Sequence, residues 1–275
     1  MPTVINQFGC MVRVSEDTRQ RMADSGQIRD AEEMDFKSHQ PDDWVLPYAP
    51  ARDHGEQIPL HREGDRPIVI RGRGPSQGDA KRVVGGYVIA VNPHPGSDEA
   101  DAVAAIDRPY WSKPTHPLKA QQWGGPWYEP WKRTCMTHEI FTVGACKYDA
   151  PAGAWITPKM LMPGHTPERP RVGIAVLDKG LVYSANYTAV WCTLIARWLS
   201  RGPIVLAGID LSSGIYGTRA APKGQPRRVR NGTVMISQAQ AWLRVASVLK
   251  GQVYRVPSMT GPLDGLPVWE GMADE

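Results

Sequence analysis

The amino-acid sequence predicts an α/β fold in which helices cover a central, mostly parallel sheet. An apolar run, Tyr87–Val91, stops at Asn-Pro-His-Pro-Gly, as a buried strand does where it meets a turn. From residue 187 to residue 256, apolar runs of strand length alternate with stretches of helical spacing, which is the rhythm of parallel strands joined by helices. With 275 residues, 41% of them hydrophobic and 22% charged, the chain fits one globular domain over 1–275.

The first apolar run places a polar residue at the end of a strand. Pro93 and Pro95 lack amide donors, so a strand over 83–91 ends there and Asn92 follows it directly. Open α/β sheets bind ligands beside the carboxyl ends of their strands, which makes Asn92 a candidate catalytic residue, with His94 beside it. The competing interpretation is an ordinary turn, which Asn-Pro commonly starts.

The last third of the chain shows the alternation most clearly. Residues 171–177 and 180–185 form either a hairpin or two sequential strands. The later elements follow in order: a helix over 187–199, a buried strand over 204–208, a helix over 234–249 and a strand over 252–256. If every strand joins one parallel sheet, then Asn186, Asp210 and Ser258 follow strand ends on the same edge as Asn92.

Two other regions carry less regular patterns. Residues 1–80 read as an N-terminal extension, with a short strand within 3–14, a polar helix over 16–34 and a loop-rich wrap over 35–80. Residues 97–170 read as an insert, with a helix from Ser97 into 100–106 and paired strands near 140–146 and 153–161. The insert is rich in aromatic residues, among them Tyr110 and Trp111. These rings suit base stacking and core packing equally well.

The charge distribution indicates a polyanionic partner. The net charge is +4, yet no acidic residue lies between Asp210 and Asp264. The same stretch contains Arg227, Arg228 and Arg230, which are candidates for contacts with DNA phosphates. A solvated basic loop is the alternative.

The remaining composition predicts no cofactor. The four cysteines lie far apart with no C-x-x-C pair, so neither a zinc site nor a disulfide framework is indicated. A loose group of Cys135, His138, Cys146 and Asp149 matches no standard ligand spacing and is expected to be structural. The N-terminus has no secretory pattern and the chain no apolar run of membrane length, which favours a cytoplasmic location.

Four segments in this order resemble the uracil-DNA glycosylase superfamily. Residues 91–96, with Asn92, look like its first catalytic motif, and residues 181–186 look like the strand whose final Asn reads the flipped base. Residues 204–214 are similar to the late strand and turn. Residues 256–263 look like the second motif, in which Pro-Ser pinches a phosphate and an apolar residue wedges into the duplex. The resemblance covers about 83–96 and 180–269 and implies a sandwich of helices, sheet and helices.

The resemblance also implies a reaction and its residues. The family hydrolyses the N-glycosidic bond of a flipped base in DNA and leaves an abasic site, a reaction that itself needs no metal. The four cysteines lack the spacing of the iron–sulfur branch of the superfamily, so no cofactor is expected. Asn92 would orient the water and Asn186 would read the base, with Tyr110 and Trp111 beside it. The substrate is duplex DNA with a flipped base or single-stranded DNA. The residues implied to contact it are Pro257, Ser258, Met259, Thr260, Gly261 and Leu263.

Two departures from the family pattern shape the expected substrate. Val256 stands where the second motif usually has His or Asn, so His94 or a residue of the insert would have to take that part. The enlarged aromatic insert suits a base bulkier than uracil. The resemblance therefore extends to the bacterial branch that attacks modified pyrimidines of phage DNA.

Two other functions remain open from the sequence. Residues 198–208 also look like a strand of metal-dependent phosphodiesterases of the endonuclease/exonuclease/phosphatase type. In that family the strand is followed by Gly-Asp-x-Asn and the chain ends with an Asp-His pair. Neither motif follows residues 198–208 here. The third possibility is a non-catalytic nucleic-acid-binding or phage structural protein, for which the basic stretch alone would suffice.

Overall fold

The computed structural model contains, among the residues that it describes, one large parallel sheet and two small antiparallel sheets. It describes residues 3–6, 11–13, 28–30, 50–52, 55–94, 96–107, 110–111, 127–143, 146, 148–157, 174–176, 182–184, 188–211 and 251–274, and several single positions between 239 and 249. The strands are β1 (Thr3–Asn6), β2 (Met11–Arg13), β3 (Ile28–Asp30), β4 (Ile68–Arg71), β5 (Tyr87–Val91), β6 (Ala102–Ala104), β7 (Glu139–Val143), β8 (Trp155–Thr157), β9 (Ile174–Val176), β10 (Val182–Ser184), β11 (Ile204–Ala207) and β12 (Val253–Arg255). The helices are α1 (Tyr128–Thr137) and α2 (Thr188–Leu199), with 3-10 helices at Pro75–Arg82 and Ser97–Glu99.

The large sheet confirms the predicted α/β class. Its seven strands run in the order β12-β11-β4-β5-β6-β7-β8, and every neighbouring pair is parallel. From β4 the chain winds to one side through β8, then returns to the other side of β4 with β11 and β12. Such a reversal creates a switch point between β4 and β11, and the carboxyl ends of all seven strands share one edge of the sheet.

The expectation of a loop-rich wrap before residue 80 is wrong for residues 68–71. These four residues form β4, which lies between β11 and β5 and is buried at every position. The run is short, but Pro67 precedes it and Gly72 follows it, which are the flanks of a buried strand. Residues 28–30 likewise form a strand that pairs with β1, not part of a polar helix.

Residues 97–170 are not an insert beside the sheet. They contribute β6, α1, β7 and β8, so three of the seven strands come from this region. Where a helix over 100–106 was expected, a 3-10 turn at Ser97–Glu99 leads into β6, whose three residues are all buried. The expected pairing of the next two strands is confirmed, since β7 and β8 are parallel neighbours.

The strand that was expected to carry Asn186 into the main sheet lies elsewhere. β9 and β10 form a separate two-stranded antiparallel ladder, so the hairpin interpretation of these two runs is confirmed. Asn186 itself lies outside the described residues. Its expected place on the same sheet edge as Asn92 therefore loses its topological basis.

The helix α2 packs close to β4 and β5 and is buried on nearly all sides. Arg197 near its end is also buried, and it donates to the carbonyl oxygens of Arg201 and Gly202 and to the side chain of Gln252. These bonds hold the turn that joins α2 to β11. Burial lowers the pKa of Arg197 to about 10.

The amino edge of the sheet is tied by one carboxylate. Glu139, the first residue of β7, accepts hydrogen bonds from Arg62, from the Tyr87 hydroxyl that begins β5 and from the Trp155 indole that begins β8. Burial opposes the ionisation of Glu139, but the three donors outweigh it and lower its pKa. The first residues of β5, β7 and β8 are therefore joined through one carboxylate.

Candidate functional site

The crevice at the switch point is filled by the chain itself. Gly72 donates its amide to the Ala207 carbonyl at 2.8 Å, and Gly74 donates to the Gly208 carbonyl at 2.7 Å. A Cβ atom at Gly72 would collide with the Gly208 backbone, and one at Gly74 would collide with the Asp210 carboxylate. The two loops thus pack backbone to backbone, and these glycines are required by that approach.

Asp210 holds this junction together. Its carboxylate accepts a hydrogen bond from the Ser76 hydroxyl at 2.9 Å and another from the Thr260 amide, while the Gly208 amide donates to the Ser76 oxygen at 2.8 Å. The Asp210 side chain is buried, and burial raises its pKa despite the hydrogen bonds from Ser76 and Thr260 that lower it. Three loops therefore meet at one internal carboxylate.

Asn92 lies where the sequence predicts, at the carboxyl end of the strand in the middle of the sheet. Its amide donates to the Ala104 carbonyl at 2.9 Å, so the ladder with β6 continues through it. Its φ is +62°, in the left-handed region that Asn tolerates better than most residues. Its side-chain oxygen Oδ1 is buried and has no hydrogen-bond partner among the described residues. An unpaired buried carbonyl oxygen at a ligand-binding edge is a functional candidate.

The loop after Asn92 is fastened to the neighbouring strand. Arg71, the last residue of β4, is 4% exposed and donates to the Gly96 carbonyl at 2.8 Å and to Glu99 at 3.1 Å. Gly96 has a φ of +74°, and a side chain there would strike the Arg71 guanidinium. His94 is buried, and its backbone exchanges hydrogen bonds with the Ser97 hydroxyl. His94 therefore lies in the wall of the loop rather than at its surface.

The two aromatic residues predicted to stack on a base are packed inside the protein. Tyr110 and Trp111 are each 5% exposed, and both rings contact Trp131 of α1, with centroids at 6.5 and 5.5 Å. The Trp111 indole also donates to the Ala105 carbonyl. The core-packing alternative describes both rings in this structure. The Tyr110 hydroxyl is reached by the Arg73 guanidinium, at a long 3.4 Å.

The segment predicted to contact DNA follows β12 at the same edge of the sheet. Pro257, Ser258, Thr260 and Gly261 are exposed there. Met259 and Leu263, expected to wedge into a duplex, are instead buried at 1% and 2% exposure. Arg255 donates to the Met259 carbonyl, which fixes this turn against the strand. A wedge from either apolar residue would require this turn to unpack.

Several predicted residues cannot be placed, and others were missed. Asn186, Arg227, Arg228 and Arg230 lie outside the described residues. Sequence reasoning missed Arg71, Arg73 and Ser76, although a buried run followed by Gly-Arg-Gly-Pro-Ser is a recognisable strand-to-helix turn. Cys135 and Cys146 are buried free thiols, and Cys146 donates to the Ile106 carbonyl. Burial raises the pKa of Cys135 to about 12.

Comparison of the chain with models of known protein families, with curated proteins and with solved structures finds no match. Within the described part of the chain, no helix is both long and apolar enough to cross a membrane.

Proposed function

We propose that this protein is a DNA glycosylase that hydrolyses the N-glycosidic bond of a flipped base and leaves an abasic site. The reaction breaks the bond between the sugar and the base, and water supplies the hydroxyl group that the sugar carbon gains. Positive charge develops on the sugar and negative charge on the base, so a positioned water and donors near the base lower the barrier.

One observation carries the proposal: the carboxamide of Asn92. Its Oδ1 is a buried acceptor with no partner among the described residues, at the carboxyl end of the central strand. A water that donates to this oxygen would be oriented without being deprotonated, because an amide is not a base at neutral pH. The Arg71 bonds to Gly96 and Glu99 brace the loop that carries Asn92, so the geometry is fixed before substrate arrives.

The finer assignment is also a proposal. The order of the sequence motifs supports a uracil-DNA glycosylase-like sandwich. An action on modified pyrimidines in phage defence rests on the aromatic residues of 97–170, of which Tyr110 and Trp111 are buried. The exposed Pro257 and Ser258 agree with a phosphate-pinching turn. The separate β9–β10 ladder and the buried Met259 and Leu263 weigh against a full match to that pattern.

The test uses DNA duplexes and single strands that carry different bases, including glucosylated pyrimidines. After incubation, alkali cleaves the strand wherever a base has been released, and the same reaction is run with excess EDTA. We expect alkali-dependent cleavage that EDTA leaves unchanged. Direct strand cleavage that EDTA abolishes would instead favour the metal-dependent phosphodiesterase.

The matched variants are Asn92→Gly and Asn92→Ala. Glycine removes the carboxamide but keeps the left-handed backbone, whereas alanine also strains it by about 1 kcal/mol. Both should lower base release by about 10²–10³-fold, and only the alanine variant should be less stable. A folded Asn92→Gly protein with full activity would remove the central residue of the proposal.

A further inference from the structure

Arg73 differs from the other partly or fully buried arginines in the described part of the chain. Each of the others contacts a carboxylate or a carbonyl oxygen; they are Arg52, Arg66, Arg71, Arg82, Arg197 and Arg255. The Arg73 guanidinium has only the long contact with the Tyr110 hydroxyl among these residues. A half-buried cation that no described anion neutralises fits a site for an anionic ligand.

Hydrogen bonds hold the backbone on either side of Arg73, whereas its side chain makes only the contact with Tyr110 among the described residues. Gly72 donates to the Ala207 carbonyl of β11, and Gly74 donates to the Gly208 carbonyl in the loop that follows β11. Two carboxylates along this edge have other partners, because Glu99 pairs with Arg71 and Asp210 accepts from Ser76. The backbone position of Arg73 is therefore held in place, while its guanidinium charge is available to an anionic ligand.

In the β4–β5 register, the chain that carries Arg73 leaves β4 next to the chain that carries Asn92. Arg71 pairs with Ala90 in the β4–β5 ladder, so Arg73 and Asn92 each lie two residues beyond these partners. Tyr110 follows β6, on the other side of β5. A contact from Arg73 to Tyr110 therefore spans the end of β5, where Asn92 lies.

We propose that Arg73 binds a backbone phosphate of the nucleic acid next to the nucleotide that Asn92 faces. This inference rests on the proposed function and adds the group that sets the register of the strand at the site. Gly72, Gly74 and Asp210 close the crevice at the switch point. The nucleic-acid strand therefore has to approach over the carboxyl ends of β4 and β5. A guanidinium matches a phosphate with two parallel hydrogen bonds, which fixes position as well as charge.

The experiment measures binding and needs no turnover. Fluorescence anisotropy gives the Kd for a duplex with a tetrahydrofuran abasic site, which mimics the product and fixes the register. The variants are Arg73→Gln and Arg73→Lys. Arg201→Gln is the charge-matched control, because Arg201 is exposed and precedes β11 at the opposite edge of the sheet.

Arg73→Gln should raise the Kd about 10- to 100-fold and reduce the slope of log affinity against log salt by about 0.9. The Kd of Arg73→Lys should lie between those of Arg73→Gln and the wild type, because lysine keeps the charge but lacks the paired N–H donors of the guanidinium. Arg201→Gln should bind like the wild type. Equal losses for Arg73→Gln and Arg201→Gln, or no DNA binding by the wild type, would overturn the proposal.

A neutral phosphate identifies the contact directly. Single methylphosphonates placed on either side of the abasic site should include one that weakens the wild type about ten-fold and leaves Arg73→Gln unaffected. If no position does so, the phosphate contact is absent, even where Arg73→Gln fails to fold. If the wild type shows this coupling but releases no base, the phosphate contact of Arg73 is supported and the glycosylase proposal is overturned. If the wild type releases base but shows no coupling, the glycosylase proposal is supported and the phosphate contact is overturned.

Discussion

Ser76 shows how much of this site depends on single polar contacts. Its hydroxyl donates to Asp210 and accepts from the Gly208 amide, so it joins the turn after β4 to the loop after β11. The sequence reveals Asn92 because an apolar run stops at it. The turn that carries Arg73 and Ser76 is also recognisable in the sequence, but the importance of these residues is not, because it lies in partners that are more than a hundred residues away or missing among the described residues.

Replacing Ser76 with alanine should destabilise the protein in a pH-dependent way. At neutral pH we expect a loss of about 1–3 kcal/mol in the free energy of unfolding, since two buried groups lose a partner. Burial raises the pKa of Asp210 above its unfolded value, and the Ser76 bonds partly offset this. Without them the pKa rises further, so the ionised carboxylate costs more.

The direction of the pH effect follows from the linkage between protonation and folding. Because the pKa of Asp210 is raised in the folded state, its contribution to the free energy of unfolding is fully present below the unfolded pKa, near 3.9, and is lost as pH rises through the folded pKa. The penalty of Ser76→Ala should therefore grow as pH rises from about 4 to 7. Urea unfolding of both proteins across this range measures it, with exposed Ser258→Ala as the control. A penalty that is constant with pH would show that Asp210 is not the partner that matters.

At the scale of elements, the sequence predicts an apolar run well where it alternates with helical stretches, and poorly where it lies among turn residues. The strands β5, β11 and β12 and the helix α2 all lie where apolar runs meet Pro, Gly or a change of period. The strands β4 and β6 have four and three residues and are no shorter than β11 and β12, but neighbouring turn residues give them the pattern of a loop and of a helix start. Only tertiary pairing distinguishes them.

The place of β4 can be tested with one substitution and its control. Val69 is completely buried between β11 and β5, whereas Val84 is 60% exposed. Val69→Asp would bury an unpaired charge at a cost of about 4 kcal/mol or more, and Val84→Asp should change stability by about 0.5 kcal/mol or less. Circular dichroism with thermal unfolding distinguishes the two. A well-folded Val69→Asp protein would contradict the central, buried position of β4 and favour a peripheral loop for residues 68–71.

At the scale of the whole molecule, the two edges of the sheet carry different kinds of polar group. At the amino edge, Glu139 is saturated by Arg62, Tyr87 and Trp155. At the carboxyl edge, the Asn92 oxygen and the Arg73 guanidinium lack equivalent partners among the described residues. Parallel strands impose this polarity because all of their carboxyl ends face one way, and it is why the edge could be predicted from sequence while its closed crevice could not.

The separation of the edges predicts that their stabilities add. Glu139→Gln should cost about 2–3 kcal/mol at neutral pH, because a charged acceptor with three donors is lost. Its lowered pKa means that the Glu139 contribution is present above the unfolded value, near 4.3, and fades as pH falls through the folded pKa. The Glu139 effect thus shrinks on acidification, in the same direction as that of Ser76→Ala but for the opposite pKa shift.

Glu139 and Ser76 are separated by three strand spacings, about 14 Å, and by the length of the strands as well. We therefore expect the double variant Glu139→Gln/Ser76→Ala to lose the sum of the two single losses within about 0.5 kcal/mol. Urea unfolding of the four proteins at pH 7 closes this cycle. A larger coupling would mean that the sheet transmits strain from its amino edge to the loops at its carboxyl edge. In that case the DNA binding proposed above, which Glu139→Gln is expected to leave unchanged, should weaken as well.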